Sequence, residues 1–436
     1  MIKKIFVFSL FFAMFSGARA EIVVDIVAGN TPQIPVAIVP FETADATLKA
    51  DAKMLNQVLA QNLERTGLFK ILDPESFPET LKFGELPSFE HWKLIKAKAL
   101  VQAKLSKASN NNLRLQFFLW DVDSGEQIEA QSLVASVKSK RRLAHISGDE
   151  IYKRLTGEGG YFDTQIVYIA ESGPVEARIR RLAIMDQDGH NNRYISSPDV
   201  YVTSPYFSPN MHTLVFLSYR NDDPAVWTLD LSTGEQRKLG KFSGMTFAPA
   251  FSPDGNKVAM SLVDDMAINL YEYDMEKKTL RQLTYYDGID TSPSYSPDGK
   301  SLVFNSDRSG SQQLHILDLS TLDAHRISFG SGRYATPSWS PRGDYIAFTR
   351  ILSDTFSIGV MTPKGKSEKI LASGWFMESP NWAPNGRRVV FHATDKSKDG
   401  MERSSEIISV DITGQNSYHI KTPGNAVSPS WSPLLP

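Results

Sequence analysis

Six short segments of one type recur along the C-terminal part of this chain: "PYFSPN" from Pro205, "PAFSPDG" from Pro249, "PSYSPDG" from Pro293, "PSWSPRG" from Pro337, "PNWAPNG" from Pro380 and "PSWSP" from Pro429. The intervals between their first prolines are 44, 44, 44, 43 and 49 residues. A fixed period in the forties is the length of one propeller blade of about four short strands. The interior of each unit repeats as well. An apolar run follows each complete motif ("LVFLS", "VAMS", "LVFNS", "IAFT", "VVFH"), then a second run such as "VWTLD", "LYEYD" or "LHILD", then a short polar edge such as "RKLG" or "RQLT". Short apolar runs bounded by Gly, Asp and Ser are strand signals, and no helical period crosses this half.

Ser-Pro-Asp-Gly has the composition of a tight turn. Proline fixes φ at the first corner, Asp bonds its own backbone, and Gly takes the left-handed exit. A metal-ligating or catalytic role for Asp254 and Asp298 competes with this reading. Arg342 and Asn385 occupy the same place in other units, so the position does not require a carboxylate. The last motif, at Pro429, has no blade body after it. A body without a motif, "QIVYIA" to "RYIS", precedes the first. A ring in which the strand around Ser428–Ser432 joins the first blade resolves both, and it leaves no open sheet edge at the seam. The expected fold class is therefore an α/β N-terminal domain plus an all-β six-bladed propeller closed by the C-terminal strand. The five extra residues of the last unit fall in "DKSKDGMERSSE", Asp395 to Glu406.

Residues 33–157 lack the repeat. "VAIVPF" (Val36–Phe41) reads as a buried strand, and Leu48, Ala52, Leu55, Leu59 and Leu63 lie at helical spacing ahead of Gly67. "FKILD" reads as a strand, and "SFEHWKLIKAKALVQAKLS" as a helix passing into a strand. A hairpin is expected about Asp123-Ser124-Gly125, and a helix from Arg141 to Leu155. Strands alternating with helices make a small α/β layer, and "TGEGGYFD" links it to a propeller over 164–436.

At the N-terminus, Lys3 and Lys4 precede the apolar run Ile5–Phe15, and Ala18-Arg19-Ala20 has the small-x-small pattern of a cleavage site. Residues 1–20 read as a secretory signal cut between Ala20 and Glu21, on a run too short for a bilayer span. An exported chain with no cysteine has no disulfides, no thiolate chemistry and no lipoprotein anchor. Its 47 Lys and Arg nearly balance 49 Asp and Glu, so no global field points to nucleic acid.

Catalytic signatures are scarce. The eight histidines form neither HExxH nor any i,i+4 pair, and His315 and His392 lie in strands as packing residues. GxSxG and Walker A motifs are lacking. A propeller-type hydrolase would need a catalytic domain beside the ring, which the chain has no room for. That enzyme and a small-ligand-binding propeller are the alternatives to a binding module, and neither a cofactor nor a metal is expected.

In a propeller, residues ahead of each innermost strand face the channel mouth. Here they are Tyr201, Thr203, Met245, Phe247, Ala248, Ile289, Thr291, Arg333, Tyr334, Phe376, Met377, Glu378 and Asn425. Their mixture of aromatics, Met and a few charges suits an interface patch; ordinary loop variation is the other reading. The segment "EIVVDIVAGNTPQIP" is likewise either an edge strand or a tail (21–32) free to add as a strand to a partner.

Taken together, the export signal, "PVAIVPF", "LAQNLERTGLFKILDPESF", "DEIYKRLTGEGGYFDTQIVYIA" and six "PxFSPDG"-type blades resemble the TolB family of the bacterial Tol–Pal envelope system, over essentially the whole chain. The resemblance implies a non-enzymatic periplasmic scaffold supporting outer-membrane integrity and cell division. It implies two partners, with other envelope proteins besides. The peptidoglycan-associated lipoprotein Pal would bind at the channel mouth. TolA would bind the mature N-terminal tail, here Glu21, Ile22, Val23, Val24, Asp25 and Ile26 onward to about Pro32. By motif position Ala248 and Thr291 match family residues implicated in Pal binding. A family His three residues before that Ala is Met245 here, so the chemistry of that contact differs.

Overall fold

The computed structural model describes residues 32–174, 177–220, 223–264, 266–395 and 404–436. Residues 1–20, expected to be a signal sequence, the tail segment Glu21–Ile26 and the middle of the Asp395–Glu406 loop lie outside the described residues.

The N-terminal region is one five-stranded sheet: β1 (Ile34–Ile38), β2 (Phe69–Ile71), β3 (Ala99–Ala108), β4 (Asn112–Asp121) and β5 (Gln127–Ser136), in the order β2-β1-β3-β4-β5. β1 pairs in parallel with β2 and β3, whereas β3, β4 and β5 form antiparallel hairpins. The sequence places the first strand at Val36–Phe41, and the structure begins and ends it earlier. Pro40 has no amide to donate to a ladder, so the strand is interrupted there, Phe41 turns into the core, and pairing resumes where the Glu42 amide donates to the Ala103 carbonyl (2.9 Å).

Three helices cover this sheet: α1 (Lys49–Arg65), α2 (Phe89–Leu94) and α3 (Arg141–Thr156). α1 buries Ala52, Leu55, Leu59 and Leu63 on one stripe, as their spacing requires. Each buried leucine contributes roughly 1.5–3 kcal/mol. Thr66 closes the helix by donating from Oγ1 to the Leu63 carbonyl (2.6 Å), and Gly67 leaves it at φ +75°. On the opposite face Trp92 of α2 is fully buried and donates from Nε1 to Glu79 (2.7 Å).

Six four-stranded antiparallel sheets follow. Five are built from consecutive strands. The sixth takes its innermost strand, Asn425–Trp431, from the C-terminus and pairs it with Gln165–Ser172, with Asn425 opposite Glu171 and Trp431 opposite Ile166. The seam is further tied by the Trp431 indole donating to Thr164 Oγ1 (2.8 Å) and by the Ser432 amide donating to the Gln165 carbonyl (2.9 Å). The ring is thus six-bladed and closed by its C-terminal strand.

The α/β region and the propeller share one core, in which Leu59, Ile151 and Phe162 pack with Tyr168, Met185 and Trp431. Polar bonds rim this junction. Arg388 donates to the Arg65 carbonyl (3.3 Å), Asn385 to the Gly159 carbonyl (2.9 Å), and Arg342 pairs with Glu158 (3.3 Å). Among the described residues no helix is long and apolar enough to cross a membrane.

Candidate functional site

The motif prolines orient the propeller. Each Ser-Pro-Asp-Gly turn lies at the end facing the α/β region, as the Arg342 and Asn385 contacts require. In these turns the glycine amide donates to the serine carbonyl: Gly255 to Ser252 (2.8 Å), Gly299 to Ser296 (2.9 Å) and Gly343 to Ser340 (2.9 Å). Asp254 accepts from Ser252 Oγ and the Asn256 amide, and Asp298 from Ser296 Oγ and the Lys300 amide. These bonds hold both carboxyls below the usual carboxylate range. Both are turn residues.

At the other end the innermost strands do not run straight. Directly before each motif proline stands a residue with left-handed backbone: Ser204, Ala248, Ser292, Thr336, Ser379 and Ser428, with φ between 44° and 57°. At each of these six places the pairing with the second strand shifts register. Non-glycine residues rarely adopt this conformation. Six copies are held by closure of the ring, and the bulge turns one residue per blade toward the axis. The six surround a central cavity of about 140 Å³. Ala248 is the one member without a hydroxyl in a ring whose other five residues are Ser or Thr.

Around this ring stand the residues expected at the mouth. Thr291 accepts from Ser261 Oγ (3.0 Å). Met245 and Phe247 are half-buried, and the Met245 carbonyl accepts from the Val263 amide (3.0 Å). Thr203 and Met377 are half-buried as well. Tyr201 is exposed, with the Arg180 guanidinium 4.8 Å from its ring centre and Tyr219 packed edge-on at 5.2 Å. Ile289 and Arg333 are exposed, and the Ile289 amide is fixed by Asp307 (3.0 Å). Phe376 sits between Phe356 (4.8 Å) and His392 (5.7 Å). Burial pushes the Glu378 carboxyl up and drives the His392 ring opposite it down to about 4. Asn425 accepts from the Ser405 amide (3.0 Å). Tyr334 is placed differently: its ring is fully buried against Phe348, and its hydroxyl donates to Glu368 (2.9 Å).

Sequence reasoning passed over the outer rim of the same end. Met266 is 94% exposed, Tyr285 75% and Phe329 70%. They lie in the turns and loops between strands that carry no motif, so the repeat gives no signal for them. Large exposed apolar groups at one end of a molecule mark an interaction surface.

A separate polar cluster lies at the junction of the two regions, where side-chain atoms of His145, Asp186 and Asp188 come within 4.8 Å of one another. Its carboxylates already face cations. Arg141 bonds Asp188 and stands 3.9 Å from Asp186, and Arg65 stands 4.0 Å from Asp188. Burial keeps His145 neutral, its pKa driven down to about 3, and raises Asp186 to about 6. A metal ion would find little unanswered negative charge there, and the cluster ties α3 to the first blade.

The comparisons agree with this architecture. A family model described as the TolB beta propeller domain matches residues 152–435, and one described as the TolB amino-terminal domain matches residues 22–128. Proteins named Tol-Pal system protein TolB from two strains of Rickettsia bellii, OSU 85-389 and RML369-C, are each 47% identical over 422 residues, covering 94% of this chain and 95% of theirs. The crystal structure of TolB from Acinetobacter baumannii superimposes with a TM-score of 0.81 at 24% identity, over 94% of this chain and 99% of that one, and shares the fold. The chain belongs to the TolB family.

Proposed function

We propose that this chain is a non-enzymatic periplasmic adaptor of the Tol–Pal system. In this reading it takes the peptidoglycan-associated lipoprotein Pal at the channel mouth and engages TolA through the segment beginning Glu21–Ile26. The observation that carries the reading is 47% identity to Tol-Pal system proteins through both the α/β region and all six blades. Geometry adds support, since the α/β region sits against the turn end and leaves the mouth end open. Tyr201, Ile289 and Arg333 offer exposed anchors there, with Ala248 lining the cavity at the base of the funnel and Thr291 directly ahead of Ser292 in that lining.

In this reading the tail is either docked on the propeller or released to TolA, and for Pal to bias that choice it must bind the two states unequally. Two variants test the assignments. Deleting Glu21–Pro32 should abolish TolA binding in calorimetry while leaving the melting temperature unchanged; unaltered TolA affinity would reject the tail assignment. Ala248→Arg places a long cation in the 140 Å³ cavity and should weaken Pal binding about tenfold or more. An unaffected Pal titration with a folded variant would reject the mouth assignment.

A further inference from the structure

The loop from Tyr285 to Ile289 joins the blade Thr246–Gln282 to the blade that begins at Asp290, and both of its end residues are exposed at the mouth. Each blade grips it. On one side the Tyr286 amide donates to Asn269 Oδ1 (2.9 Å), Asn269 Nδ2 donates to the Tyr286 carbonyl (3.1 Å), and the Ile268 amide donates to the Gly288 carbonyl (2.8 Å). On the other side the Ile289 amide donates to Asp307 Oδ1 (3.0 Å), and the Asp307 amide donates to the Ile289 carbonyl (3.3 Å). Next to the loop lies an ion pair, Arg308 with Asp290 (2.6 Å), in which Asp290 is fully buried. Arg308 Nε also donates to Ser306 Oγ (3.0 Å). Its guanidinium lies 5.1 Å from the centre of the Tyr286 ring and 5.3 Å from that of Phe304.

Among the described residues no other blade builds this pair. At the place of Asp290, three residues ahead of the motif proline, the other blades carry Val202, Thr246, Tyr334, Met377 and Ala426. At the place of Arg308 the neighbouring blades carry Asp264 and Leu352. A buried ion pair adds little net stability, because desolvating both charges offsets their attraction, but it does fix geometry. Asp290 shows the imbalance: its Oδ1 is buried with no hydrogen-bond partner among the described residues, an unfavourable state for a carboxylate oxygen. A pair that does little for folding, occurs at one blade, and there holds an exposed loop by the ring of Tyr286 has a use beyond stability. Resting on the reading of the mouth as the Pal site, we infer that Asp290 and Arg308 are positioning residues for it. They keep Tyr285 and Ile289 in the form that receives the partner, so binding does not have to order the loop.

The test uses the full mature chain and a double variant, Asp290→Thr with Arg308→Leu, which installs the residue types found at Thr246 and Leu352 in the neighbouring blades. Replacing a buried pair by neutral residues is close to neutral for stability, so the melting temperature should stay within about 2 °C of the parent. In the free chain the Tyr286 and Ile289 amides should exchange with deuterium about tenfold faster or more, while those of strand Ser301–Ser306 stay unchanged. Pal affinity should fall about tenfold in calorimetry. Arg308→Lys keeps a cation beside Asp290 and should retain the slow exchange. Gly288→Ala, whose Cβ would collide with the Tyr286 ring, loosens the loop without altering either charge and should weaken Pal binding as well. Unchanged exchange in the double variant would overturn the clamp, whatever binds at the mouth. A melting temperature that falls in step with Pal affinity would make the pair structural only. Faster exchange with unaltered Pal affinity, in a protein where Ala248→Arg does weaken Pal, would break the link between loop order and binding. If Ala248→Arg also leaves Pal affinity unaltered, the mouth assignment itself fails and the inference falls with it.

Discussion

At one end of the propeller the Ser-Pro-Asp-Gly turns repeat the same glycine-to-serine backbone bond from blade to blade; at the other, the residues Tyr201, Ile289 and Phe376 each meet different partners. The turn end meets the α/β region and is satisfied internally, as in Asp298 with Ser296 Oγ and the Lys300 amide. The mouth end presents Met266, Tyr285 and Phe329 to solvent above a ring of six left-handed residues. Both ends descend from one repeat. The difference teaches that a residue type recurring at every blade builds the ring, whereas a position where the blades diverge has been released from that task.

Three measurements can break or sharpen this contrast. The largest effect belongs to the seam at the turn end. Trp431→Ala removes a buried indole, its bond to Thr164 and its edge contact with Tyr161. The loss should be about 3–5 kcal/mol, read as a lowered denaturant midpoint; a loss below about 1 kcal/mol would mean the ring does not depend on its closure. The pH dependence comes next. Burial depresses the pKa of His392, near the mouth, to about 4, and that of His145, at the junction, to about 3. The unfolded chain therefore binds protons that the folded chain refuses, and stability present above about pH 6.5 is lost as pH falls toward 4. Asp149, raised by burial to about 7, and Asp186, raised to about 6, act in the opposite sense over the same window, so the histidine contribution is read as a difference. In thermal melts from pH 7.5 to 4.5 His392→Gln should lose less stability than the parent chain, and identical slopes would refute burial of a neutral ring. The smallest effects separate the two ends most clearly. Gly299→Ala, at φ +69° with only Pro253 near the added Cβ, should cost about 1–2 kcal/mol without touching Pal affinity. Tyr285→Ala and Phe329→Ala should change stability by less than about 0.5 kcal/mol and should reduce Pal affinity in a calorimetric titration. The reverse pattern, stable turn variants with weakened Pal binding, would show that the contrast between the ends had been misread.

Much of the fold was legible in the residues. The 44-residue spacing of the motif prolines and the unmatched strand at Pro429 are enough to count six blades and to close them. The helical stripe of Leu55, Leu59 and Leu63 is buried as its period requires. The site was legible only as positions. Ala248 and Thr291 were marked by their place ahead of the prolines, but the left-handed bulge that aims Ala248 at the axis has no sequence signature, because Ser, Thr and Ala all occupy it. Tyr334 stands three residues ahead of its proline, a place also buried at Val202, Thr246, Asp290 and Ala426, and there Glu368 and Phe348 take up its hydroxyl and ring. Phe329 carries no motif at all and is exposed only because of where its loop falls.

By itself, then, the sequence determined the period, the turns, the ring closure and the α/β layer ahead of it. These are local choices repeated often enough that their physics is visible in the residue types. Only the tertiary structure decided which variable residues reach solvent, that Asp186 and Asp188 meet Arg141 across the junction, and that β5 lies uncovered at the edge of its sheet. Each of those depends on contacts between residues far apart in the chain, and a chain's order does not record which of its surfaces another part will cover.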